Sequence, residues 1–565
     1  MIRILHIFVG FFIFGVTAFC FYRLQFGIDF LDESYYVALP YEFVLGARPF
    51  VNESGLHQTA GFISFPFVAF YTTIFGSTGL VLFLRVLFQT FALCAGFMAS
   101  RFFASSVFGL PKILAIACGA LVWLFWPFVI PNFSYNTLCS ILFLSGVYAA
   151  VTAEMKPSSE RRLNQIGSGV AFGLVVLSYP TILIPVGLFT SGLIFLYPSK
   201  WRLRLRQSAP FLLALIATGL FDFLLLTLLG WENVFSAIHR HMSTGQQGPS
   251  VSKISGLLTA IHAGSGWRIR EIFLILVLAA AIGSFKKTRS LVAPFLVALV
   301  CVGQWATGPL YLPIYLALIA PIFFILLPKD FPAKRMIALV WICSMAAGLT
   351  TSLTSANGFT NAMIGGMAAA ILSIFLGLSL VRAHSSKLIS TILMAFTIIL
   401  PLATCLHYMR NSIYGEGYSL AQLTSRITEG PFAGMRTSPH KADFIHELFA
   451  DLQAAVVNRQ SVLFYDDFPA GYLFIDSKKV KLYPMGTSVW LVSDKKRFPQ
   501  IRQSFADYFQ SAENQPDLVF ELKDSRWNFY EGNPQPDTDV LTGFFPRLGY
   551  RLLQERDPYW LWAKH

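Results

Sequence analysis

Long apolar runs recur through most of this chain, and they decide its fold class before any motif is read. They lie near residues 4–22, 79–100, 113–130, 137–153, 166–179, 181–198, 209–230, 271–285, 290–306, 310–327, 336–353, 361–382 and 389–408. A helix of ~20 apolar residues crosses the ~30 Å hydrocarbon layer, because backbone N–H and C=O groups must bond one another where no water reaches them. The runs 166–179 and 181–198 are short and split by Tyr179-Pro180, but both are kept because basic loops bracket them. Thirteen spans therefore predict a polytopic α-helical membrane protein. Only 13% of the 565 residues are charged, about half the share in soluble proteins.

Charge sets the expected orientation. Basic loops at Lys156, Arg161 and Arg162, at Lys200, Arg202, Arg204 and Arg206, at Lys286, Lys287 and Arg289, and at Lys329, Lys334 and Arg335 should all face the cytoplasm. The N-terminus then lies inside, the first span stays uncleaved, and residues 409–565 lie outside. The net charge of +13 does not point to nucleic acid. Residues 1–408 hold 25 Lys+Arg against 11 Asp+Glu, whereas residues 409–565 hold 18 against 19, so the excess belongs to membrane loops. The seven cysteines all fall at or before Cys405, in or beside apolar runs, which suggests neither a disulfide framework nor a CxxC metal site.

Two domains are expected: a membrane domain over 1–408, and a small extracytoplasmic α/β domain over 409–565. In the second, helical spacing over 440–457, another helix near 497–511, and buried-strand runs at 461–465 and 518–522 alternate. Tyr465-Asp466-Asp467-Phe468-Pro469 follows the first strand, where such domains bind ligands or simply turn. The domain is expected to cover a cavity or recruit an acceptor, without chemistry of its own. Residues 62–76 are apolar but too short to cross and carry Pro66, so they read as re-entrant or interfacial. A second external loop is expected over 231–268.

Function is sought first in the loop 27–61, which follows the first span. It carries Asp29, Asp32, Glu33, Glu42 and Glu53, five of the eleven acids before residue 409. Ionisable groups close to lipid are costly and usually line a reaction site or pathway. Asp32-Glu33-Ser34-Tyr35-Tyr36, then Gly46-Ala-Arg-Pro-Phe50, Asn52-Glu53 and His57-Gln58, then Phe75-Gly76 and Arg85 within an apolar helix, resemble the GT-C glycosyltransferases. The nearest branch in pattern is that of protein O-mannosyltransferases and lipid A aminoarabinose transferases. His57-Gln58-Thr59 stands where that family has Lys-Pro-Pro. The resemblance implies a bacterial inner-membrane enzyme that takes one sugar from a polyprenyl-phosphate donor to a glycolipid, polysaccharide or protein acceptor.

The residue types suit that chemistry. A lipid phosphate leaves without protonation, so what remains is to activate an acceptor hydroxyl. One carboxylate can do this as general base, contributing about 10² to 10⁴ in rate and inverting the anomeric centre. The resemblance assigns the base to Asp32, with Glu33 orienting the loop and Asp29 as the rival base. Arg85 is the first candidate for the donor phosphate, and a structural pair with Asp32 or Glu53 is its equal alternative. Arg48 and His57 follow, with His239 and Arg240 from the second loop. Glu53, Tyr35, Tyr36 and Asn136 are candidates for the acceptor cavity. No metal is assigned, although Asp29, Asp32 and Glu53 would make an oxygen set for Mg²⁺ or Mn²⁺. The alternatives are a transporter or flippase of a lipid-linked glycan and a non-catalytic envelope assembly protein; neither accounts for acids gathered near one membrane face.

Overall fold

The computed structural model describes residues 2–51, 57–195, 201–243, 251–267, 269–285, 288–355, 357–382, 386–457, 461–465, 468–475, 481–482, 506–507, 509–523 and 544–564. As far as Asn411 these residues are almost entirely helical. The first seven helices are α1 (Ile2–Arg23), α2 (Asp32–Val44), α3 (Gln58–Phe75), α4 (Leu80–Phe103), α5 (Lys112–Leu124), α6 (Tyr135–Ala153) and α7 (Ser158–Ser178). A helix stands over each of the thirteen apolar runs. Among the described residues, eight helices are long and apolar enough to cross a membrane, and four shorter apolar helices accompany them.

Burial follows the expected division between lipid and protein. In α1, Val9, Ile13, Val16 and Cys20 are buried on one face, while Ile7, Phe8, Phe11 and Phe14 are exposed on the other. That 3.6-residue spacing identifies a helix at the rim of a bundle. Within the segment Gly358–Arg382, by contrast, 94% of an 18-residue apolar window is buried, and the segment forms the bundle's centre. Close crossings use small residues: a Cβ on Gly119 of α5 would come within 2.3 Å of the Gly96 carbonyl oxygen of α4.

Connections locate one end of the bundle. Arg23 closes α1, its Nε–H donating to the Met409 carbonyl at 2.9 Å and its Nη2 to that of Ser412 at 3.3 Å. The Gly79 N–H, at the start of α4, donates to the Gly430 carbonyl at 2.9 Å. The end of α1, the start of α4 and the exit from the helix Lys387–Asn411 therefore share the end that carries the acidic loop. Helix α3 stays there. Its N-cap His57 stacks on Tyr135, the first residue of α6, while Tyr71 near its other end stacks on Phe83 of α4. A segment that begins and ends on one side in this way is what a re-entrant or interfacial helix requires.

The C-terminal part is docked on the same end. Strands β1 (Ser425–Arg426) and β2 (Arg436–Thr437) pair antiparallel, and Phe26 of the acidic loop bridges to Arg436. Then come the helix Pro439–Val456 and a five-stranded sheet of β3 (Ser461–Tyr465), β4 (Lys481–Leu482), β5 (Leu518–Leu522), β6 (Arg551–Glu555) and β7 (Tyr559–Ala563). Its order is β4-β3-β5-β7-β6, with β3 parallel to β4 and β5 and the remaining pairs antiparallel. The expected α/β character and both predicted strands are present. Most of the helix expected near 497–511, and the Asp466-Asp467 pair, lie outside the described residues. Phe30 fixes the docking: its ring sits 6.0, 5.4 and 5.2 Å from those of Phe432, Phe444 and Phe468.

Candidate active site at the acidic loop

The three acids that open α2 have three different environments. Asp29 is buried, its Oδ2 accepting the Glu33 N–H at 2.7 Å and its Oδ1 that of Leu31 at 3.2 Å. It therefore caps α2, satisfying N–H groups that a helix start leaves without partners. Burial pushes its carboxyl up to about 7, the Asp32 charge adds to the shift, and the two N–H bonds oppose it. Gly415 makes the close approach possible, since at φ 72° a Cβ there would lie 2.7 Å from the Asp29 Cα.

Glu33 faces the bundle. Its Oε1 accepts the Arg85 Nε–H at 2.7 Å and the Asn132 amide at 3.1 Å, and its Oε2 accepts Arg85 Nη2 at 2.5 Å. Arg85 also donates to the carbonyls of Leu24 at 2.7 Å, Phe26 at 3.1 Å and Gly27 at 2.8 Å. These contacts engage all five N–H donors of a guanidinium, leaving none for a donor phosphate. The pairing is with Glu33, whereas the sequence offered Asp32 or Glu53. Both partners are 3% exposed, so this is a buried fork that ties α4 to the start of α2.

Asp32 is the open member. Its side chain is exposed, and the Tyr414 hydroxyl donates to Oδ2; among the described residues no bond to Oδ1 is found. Surrounding protein nevertheless raises its pKa, with the Tyr414 bond pulling the other way. Asp32 is thus open to water on one side and crowded by protein on the others. Tyr36 and Tyr135 stand close enough to feel its charge. Their rings are 5.7 Å apart, Tyr35 meets Tyr36 edge-on at 5.1 Å, His57 lies on Tyr135 at 4.0 Å and 13°, and Tyr179 follows at 5.5 Å. The result is an aromatic wall beside the acid.

The remaining expected residues fall around this centre. Asn136 follows Tyr135 at the start of α6, with its Oδ1 buried and without a hydrogen-bond partner among the described residues. Arg48 is exposed on the turn after α2. His239 is exposed on the helix Trp231–Ser243, which also contains Arg240 and packs Val234 and Ala237 against Phe50 and Phe62. This helix thus leans on the acidic loop and α3. Glu53 lies outside the described residues. Among the described residues no group of three or more His, Cys, Asp or Glu is placed to hold a metal ion.

Sequence reasoning missed the contribution from beyond residue 409. Lys441 is fully buried; it donates to the carbonyls of Ile28 and, at 2.6 Å, Gly415, lies 3.6 Å from Glu416 and sits over the Phe30 ring at 4.9 Å. Burial pulls its ammonium down to about 8, against the opposing charges of Glu416 and Asp29. Glu416 Oε1 in turn accepts the Ile28 N–H at 3.0 Å. Tyr414, Gly415, Glu416 and Lys441 together hold the loop from which Asp32 projects.

No protein-family model matches the chain, and no curated protein matches it. Solved structures similar to it include ArnT from Cupriavidus metallidurans in the apo state, 13% identical over 98% of this chain and 97% of that one, with a TM-score of 0.44. ArnT from the same organism bound to undecaprenyl phosphate gives 13%, 98%, 97% and 0.43.

Proposed function

We propose that the chain is a membrane glycosyltransferase of GT-C type, which moves a sugar from a polyprenyl-phosphate donor to an acceptor hydroxyl at the acidic end of the bundle. One observation carries the reading: of three neighbouring carboxylates, two are locked into the fold, while the third, Asp32, is exposed with one oxygen held by the Tyr414 hydroxyl. The acceptor O–H gives its proton to Asp32 Oδ1 as its oxygen bonds to the anomeric carbon. The bond from that carbon to the phosphate oxygen breaks with inversion, and the lipid phosphate leaves as the anion. Tyr36 and Tyr135 supply ring faces on which a sugar can lie. With Arg85 committed to Glu33, the phosphate role passes to other donors, Arg48 and His57 first, then His239 and Arg240. We place the acidic end outside the cytoplasmic membrane, as the basic loops require.

The direct test gives the purified full-length protein polyprenyl phosphates carrying different labelled sugars, together with envelope lipids and glycans from cells lacking the gene. Release of polyprenyl phosphate coupled to an inverted glycosidic bond is the expected product. No turnover of any lipid-linked sugar would remove the reading.

Tyr414 gives a second test. Its hydroxyl favours the ionised form of Asp32, and the base acts only when ionised. Tyr414→Phe should therefore move the acid limb of the kcat profile to higher pH, with the donor KM unchanged. A proportional fall in rate at every pH would show that the hydroxyl does not tune the base.

A further inference from the structure

The end of the bundle opposite the acidic loop holds a cavity that the proposed reaction does not use. Its volume is about 190 Å³, and His6 of α1, Leu114 of α5, Arg382, and Lys387, Ser390 and Met394 of the helix Lys387–Asn411 line it. Connectivity fixes its position: α1 starts there and ends at the acidic loop, and α5 follows the far end of α4.

Its lining is divided. Leu114, Met394 and Ser390 are buried and form the floor, whereas Arg382 and Lys387 are exposed at the rim. Arg382 Nη1 donates to the Gly109 carbonyl at 2.7 Å, which holds the guanidinium in place. Ser390 gives its hydroxyl hydrogen to the Val381 carbonyl at 3.1 Å, so it does not compete for the rim cations. His6 Nε2 is buried and has no hydrogen-bond partner among the described residues. A buried ring nitrogen left without a partner costs free energy unless a ligand or water meets it. No acid is among the lining residues. The first turns of α5 and of Lys387–Asn411 both open here, so their backbone N–H groups add positive potential.

We propose that this cavity binds a phosphate group, with the head group of an anionic phospholipid as the favoured source. Two cations, one of them held in place, and a ring nitrogen match phosphate oxygens, and an apolar floor at a membrane helix end suits the carbons attached to them. The inference does not rest on the glycosyl-transfer reading, because the site lies at the other end of the bundle.

The test uses the full-length protein reconstituted in nanodiscs of phosphatidylcholine with or without phosphatidylglycerol, beside Arg382→Gln/Lys387→Gln and His6→Gln. Phosphatidylglycerol retained per protein after transfer to detergent is counted by mass spectrometry, and thermal unfolding is followed with that lipid and with inorganic phosphate alone. Wild type should retain the lipid and unfold later in its presence, and the double variant should retain about tenfold less. A rise with inorganic phosphate alone, lost in the variants, would support the site and name free phosphate as its source. Equal retention and equal unfolding in wild type and variants, with both probes, overturns it. If the double variant fails to fold, Lys387→Gln is judged by the same criteria.

Discussion

Replacing Asp32 by asparagine is expected to lower kcat by about 10² to 10⁴, the usual contribution of a positioned general base. The amide has the same shape and can still accept the Tyr414 hydroxyl, so the surroundings should keep their form and the donor KM should change little. Only proton acceptance from the acceptor hydroxyl is lost. Asp29→Asn is the matched control. Both Asp29 oxygens already accept backbone N–H groups, so that change sets one amide N–H against a backbone N–H and should cost some cap stability, with a smaller effect on rate. Single-turnover transfer at saturating donor separates the two. If Asp29→Asn abolishes transfer in a folded protein while Asp32→Asn stays within fivefold of wild type, the rival assignment is right. A pH profile adds an independent check. Protein packed around Asp32 raises its pKa, so activity should fall on acidification at a pH above the ordinary aspartate value near ~3.9.

What the chain disclosed in advance, and what it withheld, follows from how far apart the interacting residues are. Apolar runs are local, so the membrane helices were legible, as were β3 and β5 to the residue. Strand β6 was not, because Arg551–Glu555 lies largely exposed and shows no alternation. The acidic loop was legible as a cluster, but its division of labour was not. Adjacent residues at the start of a helix point about 100° apart, so once α2 begins at Asp32, Glu33 turns into the bundle while Asp32 stays exposed. Nothing local announces that start, since the cap is the side chain of Asp29. Tyr414 is harder still to foresee, because it meets Asp32 from 382 residues away. The expectation that the C-terminal part covers a cavity or recruits an acceptor leaves out a further contribution: its first residues grip the loop, and one of them touches the proposed base.

Arg85→Ala should be the most damaging change to folding. Removing one partner from a buried ion pair typically costs about 3–5 kcal/mol, because the other charge stays behind unpaired. Here the loss leaves Glu33 with only the Asn132 amide, and the carbonyls of Leu24, Phe26 and Gly27 also lose their guanidinium donors. Arg85→Lys should restore little, since an ammonium has three donors and cannot form the planar fork that spans both Glu33 oxygens. Glu33→Gln/Arg85→Gln, which removes both charges together, should recover part of the lost stability and so expose the coupling in a double-mutant cycle. Folded yield and the thermal unfolding midpoint in detergent report these effects without any substrate. A phosphate-binding role would leave another signature: Arg85→Ala would fold with an unchanged midpoint, and only the affinity for the lipid-linked donor would fall. That result would return Arg85 to the reacting centre and require Glu33 to hold the start of α2 without it.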